Sequence, residues 1–390
     1  MKLLHLALVA LVSALLTACG GGDDDAPAKR TYQYSVVGDP QRAVQVQAPM
    51  EPSVAILGGG TDVDAAFRWM IERGGVRPGT NGRFVIIRAS VDDDDDNAYV
   101  YYSNAQRGIT DAPASAWVGG AAMGLSSVET LVIPDRESAD DALVNEVVGR
   151  AQAVFIGGGD QANYINYWKN SRLHTTLNRL MQANVPIGGT SAGLVVLGQF
   201  DFAALRDGIS TTEALSNPYN DLVTLDPDPL RLTGGFLVPS AFTNTILDSH
   251  FSARNRMGRL MTFVSRLVAP YGGGGCVGGI LTAGASPQTG ARGIGVDEQT
   301  ALLVQGDGQR TPYTGRHVTN PGNQNESAVY FVRPLQPATQ CSPFLPLSSP
   351  NFEVRKLADG SVFNLSEWSG QPMPAYTVDI HAGVLSRNPY

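Results

Sequence analysis

The sequence predicts an α/β fold, a three-layer sandwich around a mainly parallel sheet, with a β-rich C-terminal tail. Three observations carry that expectation. Short all-apolar runs alternate with stretches whose apolar residues recur at helical spacing. Glycine clusters stand between the runs and the helical stretches, where strand-to-helix turns belong. Finally, 43% hydrophobic against 16% charged side chains over 390 residues is a globular balance, which excludes disordered, collagen-like and coiled-coil chains.

Residues 1–18 read as an export signal. Lys2 supplies the positive start, and Leu3 to Leu16 form an apolar stretch, broken at His5 and Ser13, too short for a comfortable membrane span. The stretch ends in Leu16-Thr17-Ala18-Cys19, which resembles a bacterial lipobox and makes Cys19 the expected lipidation site. An ordinary secretory cleavage is the alternative. Gly20 in place of an aspartate leans, by resemblance to lipoprotein sorting, towards the outer membrane. The expected location is therefore a lipid-anchored protein of the bacterial membrane, or an extracellular one. Residues 19–51 are polar and read as a tether.

Residues 52–305 carry the βα pattern. Val54-Ala55-Ile56-Leu57 reads as a strand buried on both faces. Gly58-Gly59-Gly60 follows, and Val63, Ala66, Phe67, Met70 and Ile71 then mark one helical face that stops at Gly74. Further strands are expected at Phe84–Ile87, Leu131–Ile133, Ala153–Ile156 and Val185–Ile187, with helices over Asp140–Arg150 and Gln161–Ala183. Residues 306–390 change texture. Gly, Pro, Asn and Ser surround short runs such as Ala328–Val332 and Phe352–Leu357, which predicts β structure.

Charge and cysteine usage narrow the function classes. Lys plus Arg number 28 against 36 Asp plus Glu, a net charge of −8 without a basic block, so a nucleic-acid partner is excluded. The acidic run Asp92–Asp96 reads as a solvated loop, with a site for calcium or a cationic substrate group as the alternative; calcium loops, however, alternate their carboxylates and place a glycine at the turn. With Cys19 acylated, Cys276 and Cys341 remain as one possible disulfide pair, and without histidine spacing they form no zinc site.

The strongest local motif is Gly189-Thr190-Ser191-Ala192-Gly193, a G-x-S-x-G pattern between a strand and an apolar helical segment. Such a turn exposes the serine oxygen at a helix N-terminus, where backbone amides favour negative charge. The glycines are expected to permit the strained backbone. Gly157-Gly158-Gly159-Asp160-Gln161 is a second turn of this kind, and both emerge at the same carboxyl edge of a parallel sheet. Neither matches a dinucleotide or P-loop pattern, so no cofactor is expected. A base is supplied by Asp248-Ser249-His250-Phe251-Ser252-Ala253-Arg254-Asn255-Arg256-Met257-Gly258-Arg259, in which three arginines follow one histidine. Arginines at that spacing recognise carboxylates and depress the pKa of the histidine.

Taken in order with Gly293-Ile294-Gly295-Val296-Asp297-Glu298, these motifs resemble the cyanophycinases and related serine peptidases, across about residues 52–305. The resemblance implies a class I glutamine amidotransferase-like fold, no metal, and hydrolysis of the arginyl-polyaspartate polymer or of β-aspartyl peptides. It also implies a homodimer. By position, Ser191 is the nucleophile, His250 the base and Glu298 the orienting carboxylate, with Asp297 beside it as the alternative. Gly159 and Ala192 supply oxyanion N–H groups, while Gln161, Asp248, Arg254, Arg256 and Arg259 bind substrate. The export signal, Ser249 in place of the usual glutamine, the insert Gly272–Gly279 and the long tail depart from the cytoplasmic enzymes. Two other readings remain. An α/β-hydrolase-type esterase takes its histidine last in the chain, from His317 or His381. A lipid-anchored binding protein captures peptides without cutting them.

Overall fold

A computed structural model describes residues 31–90, 119–228, 235–284, 286, 289–306, 312–323, 327–358, 360–370 and 374–390. The expected signal, Cys19 and the Asp92–Asp96 run lie outside the described residues. The first part of the chain alternates strands and helices: β1 (Gln33–Gly38), β2 (Ser53–Leu57), α1 (Asp64–Arg73), β3 (Gly82–Arg88), α2 (Gly120–Met123) and β4 (Leu125–Val132). Then come α3 (Arg136–Asp140), α4 (Ala142–Gly149), β5 (Ala153–Ile156), α5 (Gln161–Asn163), α6 (Arg172–Gln182), β6 (Ile187–Thr190) and α7 (Ala192–Val195). A two-strand ribbon of β7 (Asp201–Phe202) and β8 (Leu225–Asp226) flanks α8 (Thr211–Ser216). β9 (Thr245–Asp248), α9 (Met257–Leu267), β10 (Arg292–Val296), β11 (Thr300–Gln305) and β12 (Thr314–Thr319) follow. The chain finishes with β13 (Val329–Pro334), β14 (Ser349–Leu357), β15 (Val362–Asn364), β16 (Ser369–Gly370), β17 (Tyr376–His381) and β18 (Val384–Leu385).

Two sheets organise these elements. The larger has the order β1-β4-β3-β5-β6-β2-β11-β12-β15-β16, and its neighbours from β4 to β2 are all parallel. The smaller runs β18-β17-β14-β13-β10-β9. The expected α/β sandwich is present, and the β-rich tail supplies strands to both sheets. Within residues 31–51, which read as a tether, β1 pairs antiparallel with β4 as an edge strand. Its half-exposed, mixed pattern hid it in the sequence.

Alternation along each strand fills both faces. Ala55, Leu57, Phe84, Ile86, Ala153 and Phe155 pack under Ala66, Phe67, Met70 and Ile71 of α1. On the other face, Val54, Ile56, Val85, Ile87, Val154 and Ile156 meet Val144, Val147 and Val148 of α4 and Leu173, Leu177 and Leu180 of α6. Full burial of each Val, Leu, Ile, Phe or Met side chain among them contributes about 1.5–3 kcal/mol. The smaller sheet is split in the same way: Ile294, Val296, Val329 and Phe331 join the core of the larger sheet, while Tyr330, Val332 and Val354 pack on α9.

One helical segment differs from expectation. Gln161–Ala183 is not one helix: a π-helical turn at Tyr164–Trp168 follows α5, and α6 restarts beyond it. Asn170 is left-handed there, and the Ser171 hydroxyl accepts from the His174 N–H to cap the new helix. The tail is also stitched to the first βα unit, since Asn320 accepts from the Asp64 N–H at the start of α1 and donates to Asp62 O. Cys276 and Cys341 form a disulfide that ties the glycine-rich loop to the segment before β14.

Candidate active site

In the larger sheet β5, β6 and β2 are neighbours, so the turns that leave them open side by side at one carboxyl edge. Gly157–Gly159 follows β5, Ser191 follows β6 and Gly58–Gly60 follows β2. The ends of β9 and β10 in the smaller sheet meet this edge, because the His250 N–H donates to Gly58 O (2.7 Å) and the Gln299 N–H to Gly59 O (2.9 Å). The candidate site therefore lies on the seam between two sheets.

Ser191 itself is left-handed, with φ +51° and ψ −115°, and its N–H donates to Leu57 O (3.1 Å). The strain expected of the flanking glycines falls on the serine instead. Gly189 and Gly193 are needed for room: a Cβ at Gly193 would overlap the Ile156 carbonyl and lie 2.7 Å from Gly157 O. One at Gly189 would overlap the Gly193 carbonyl. The tight contact between turns, and not backbone freedom, is what those two positions require.

The Ser191 Oγ lies 2.8 Å from His250 Nε2, and His250 Nδ1 lies 2.6 Å from Glu298 Oε1. A carboxylate only accepts, so the geometry assigns the ring proton to Nδ1 and leaves the Nε2 lone pair facing the serine O–H. Asp297, the alternative partner, turns away. Its oxygens accept the Ser252 N–H (2.8 Å) and the Ala328 N–H (3.0 Å), which fixes the turn after His250 to the smaller sheet. Gly59 presses on the imidazole, for a Cβ there would come 2.5 Å from Nε2. Reasoning from the sequence gave the Gly58–Gly60 turn no part in the site. It is a third glycine-rich turn at the same edge, marked in the sequence by the same strand-then-glycine signal as the other two.

Gly159, Gln161, Ser191, Ala192, His250 and Arg254 line one cleft of 490 Å³, together with Arg256 and Arg259. Gly158 packs directly on Ser191, and Gly159 has φ +139°, a conformation suited to glycine. Gln161 donates to Phe202 O (3.3 Å). The segment through His250 is a tight turn, with α9 beginning only at Met257. The three arginines then differ in what they can do. Arg259 is buried, with Nε on Asp248 Oδ2 (2.8 Å), Nη2 on Asp248 Oδ1 (2.6 Å) and Nη1 on Ile209 O (3.1 Å). Arg256 gives one nitrogen to Asp248 Oδ1 (3.3 Å) and Ser249 O (2.9 Å). Arg254 is exposed in the cleft and pairs with no described carboxylate. Asp248, expected to bind substrate, is 1% exposed and outside the cleft lining. A carboxylate so committed holds the arginines in place and does not reach a ligand.

Burial holds the His250 pKa below its ordinary value, and the charges of Arg254 and Arg256 lower it further against the pull of Glu298. The imidazole is thus neutral at pH 7 and able to accept a proton. Replacing Arg254 with glutamine removes one depressing charge, so the His250 titration midpoint should move to higher pH. Imidazole proton NMR checks this, and an unchanged or lower midpoint would contradict it.

Residues 121–265 match the family model described as Peptidase family S51. Over that span the chain is similar to peptidase family S51. The S51 span holds both glycine turns, Ser191, His250 and the arginines, whereas Glu298 lies beyond it and is placed by geometry. The S51-like chain is 28% identical over 186 residues to a cyanophycinase of Geminocystis herdmanii, covering 47% of this chain and 54% of that protein. It is 26% identical over 244 residues to a cyanophycinase of Synechococcus elongatus, covering 62% of each. The chain thus spans about half to three-fifths of the length of these curated relatives. A solved peptidase from an acI-B1 Actinobacterium aligns over 87% of this chain and 98% of its own at 17% identity and TM-score 0.39.

Proposed function

We propose that the protein is a serine peptidase that hydrolyses β-aspartyl peptides, cyanophycin-like polymer among them, through an acyl-enzyme. The observation that carries this is the unbroken chain Ser191 Oγ, His250, Glu298 opening into an arginine-bearing cleft. Ser191 Oγ attacks the carbonyl carbon while His250 Nε2 takes its proton, and Glu298 steadies the imidazolium that forms. The N–H groups of Gly159 and Ala192 receive the oxyanion. His250 then returns the proton to the leaving amine, and a water activated by the same nitrogen resolves the ester. Arg254, with Arg256 behind it, pairs with the free carboxylate that a β-linked aspartyl residue keeps.

Export on residues 1–18 and acylation of Cys19 belong to the proposal, supported by the sequence pattern, and so does a homodimer, on family resemblance. The esterase reading loses its base, since His250 stands on Ser191 while His317 is buried in β12 and His381 is exposed beside Asp379. The test incubates the purified full chain with cyanophycin and with matched α- and β-aspartyl peptides, and reads products by mass spectrometry. Release of β-aspartyl-arginine, or cleavage of the β-linked peptides alone, is expected. Cleavage confined to α-linked peptides would refute the substrate assignment. Binding with no cleavage of any of them would favour a capture protein.

A further inference from the structure

His250, Arg254 and Arg256 sit on one turn between β9 and α9, and the turn is conformationally demanding. His250 (φ +46°) and Asn255 (φ +50°) both occupy the left-handed region, which side-chain-bearing residues adopt only where the surroundings enforce it. At its start the turn is fastened by the His250 N–H to Gly58 O, and in the middle by the Ser252 N–H to Asp297. At its far end the Arg256 N–H donates to Phe251 O (2.9 Å) and the Thr211 hydroxyl to Asn255 O, but Arg256 offers α9 no side-chain cap. The first helical N–H, that of Met257, donates instead to the Tyr390 hydroxyl at 2.9 Å.

The Tyr390 ring reaches the other end of the same turn. It meets Phe251, the residue after His250, edge-on at 6.1 Å and 78°, and Tyr330 of β13 at 5.7 Å and 86°. Phe251 is fully buried between these rings and Gly295, whose missing Cβ makes room for it. Its backbone neighbour His250 therefore inherits its position from a packed aromatic trio. Burial also pushes the Tyr390 phenol well above its usual value, so the hydroxyl stays neutral and available as an acceptor.

We propose that Tyr390 is a positioning residue of the candidate active site: its ring and hydroxyl together set the turn that presents His250 to Ser191 and Arg254 and Arg256 to the cleft. The kinetic consequence rests on the peptidase reading above, while the structural one does not. The test compares the full chain with Tyr390→Phe and Tyr390→Leu. For each, kcat and KM on a β-aspartyl peptide are measured well below the melting temperature, and the His250 midpoint is followed by NMR. The phenylalanine variant keeps the ring and loses the acceptor, so KM should rise roughly threefold with kcat little changed. The leucine variant loses both, and a shift of the imidazole of a fraction of an ångström should lower kcat roughly tenfold or more. Its His250 midpoint should rise as water enters the turn. Lower melting temperatures with unchanged kcat, KM and His250 midpoint would overturn the proposal and leave Tyr390 a packing residue only. If the wild type cuts no substrate, the peptidase reading falls, but the NMR midpoints still decide the role of Tyr390. Should the leucine variant fail to fold, an unchanged KM and midpoint in the phenylalanine variant would be enough to reject it.

Discussion

Replacing Ser191 with alanine should lower turnover by on the order of a millionfold, the loss found when an acyl-enzyme nucleophile is removed, while leaving the fold intact. Among the described residues the side chain of Ser191 bonds only His250, so no other hydrogen bond is lost there. Alanine also tolerates the same backbone about as well as serine does, because both carry a Cβ at positive φ. The check is product release by mass spectrometry alongside a thermal melt of both proteins. A variant that still turns over above the level of a mock preparation would remove Ser191 from the mechanism. Loss of activity accompanied by a collapsed melt would leave the fold, not the nucleophile, as the cause.

The second large effect concerns stability. Asp248→Ala should destabilise the protein by about 3–5 kcal/mol, because it strands the buried guanidinium of Arg259 and removes one contact of Arg256. Arg256 is already strained electrostatically: burial and two neighbouring arginines bring its pKa down to about 10, against the support of Asp248. Urea unfolding of the full chain reads the cost directly. A loss under about 1 kcal/mol would mean that water reaches Arg259 and that the pair is not the buried anchor described here. Asp248→Asn should fall between, since its amide oxygen still accepts one N–H.

Much of the site was legible because its chemistry is carried by local strings. Ser191 lies in a five-residue turn, His250 and the three arginines in a twelve-residue segment, and each string states its residue types without reference to the rest of the chain. The parallel strands were equally plain, since Val54–Leu57, Phe84–Ile87 and Ala153–Ile156 are apolar throughout, as burial on both faces requires. What could not be read was long-range. The choice between Asp297 and Glu298 depends on which carboxylate meets Ser252 and Ala328, a pairing set by β10 and β13. The different duties of Arg254, Arg256 and Arg259 depend on the depth of Asp248, which no spacing reveals. Local patterning misled in two places. A continuous helical periodicity from Gln161 concealed the break at Lys169–Ser171, and the partly exposed strand β1 resembled a linker.

The placement of the dyad on a seam has a further consequence. Ser191 is carried by the larger sheet, His250 by the smaller and Glu298 by the turn from β10 to β11 that joins them, so a slip of one sheet against the other would move the reacting atoms apart. Competence is thus a property of how the two sheets are aligned, and a bulky change at the seam should lower it. The secondary structure would persist after the chemistry had stopped, so a preparation can look folded by circular dichroism and still be inert.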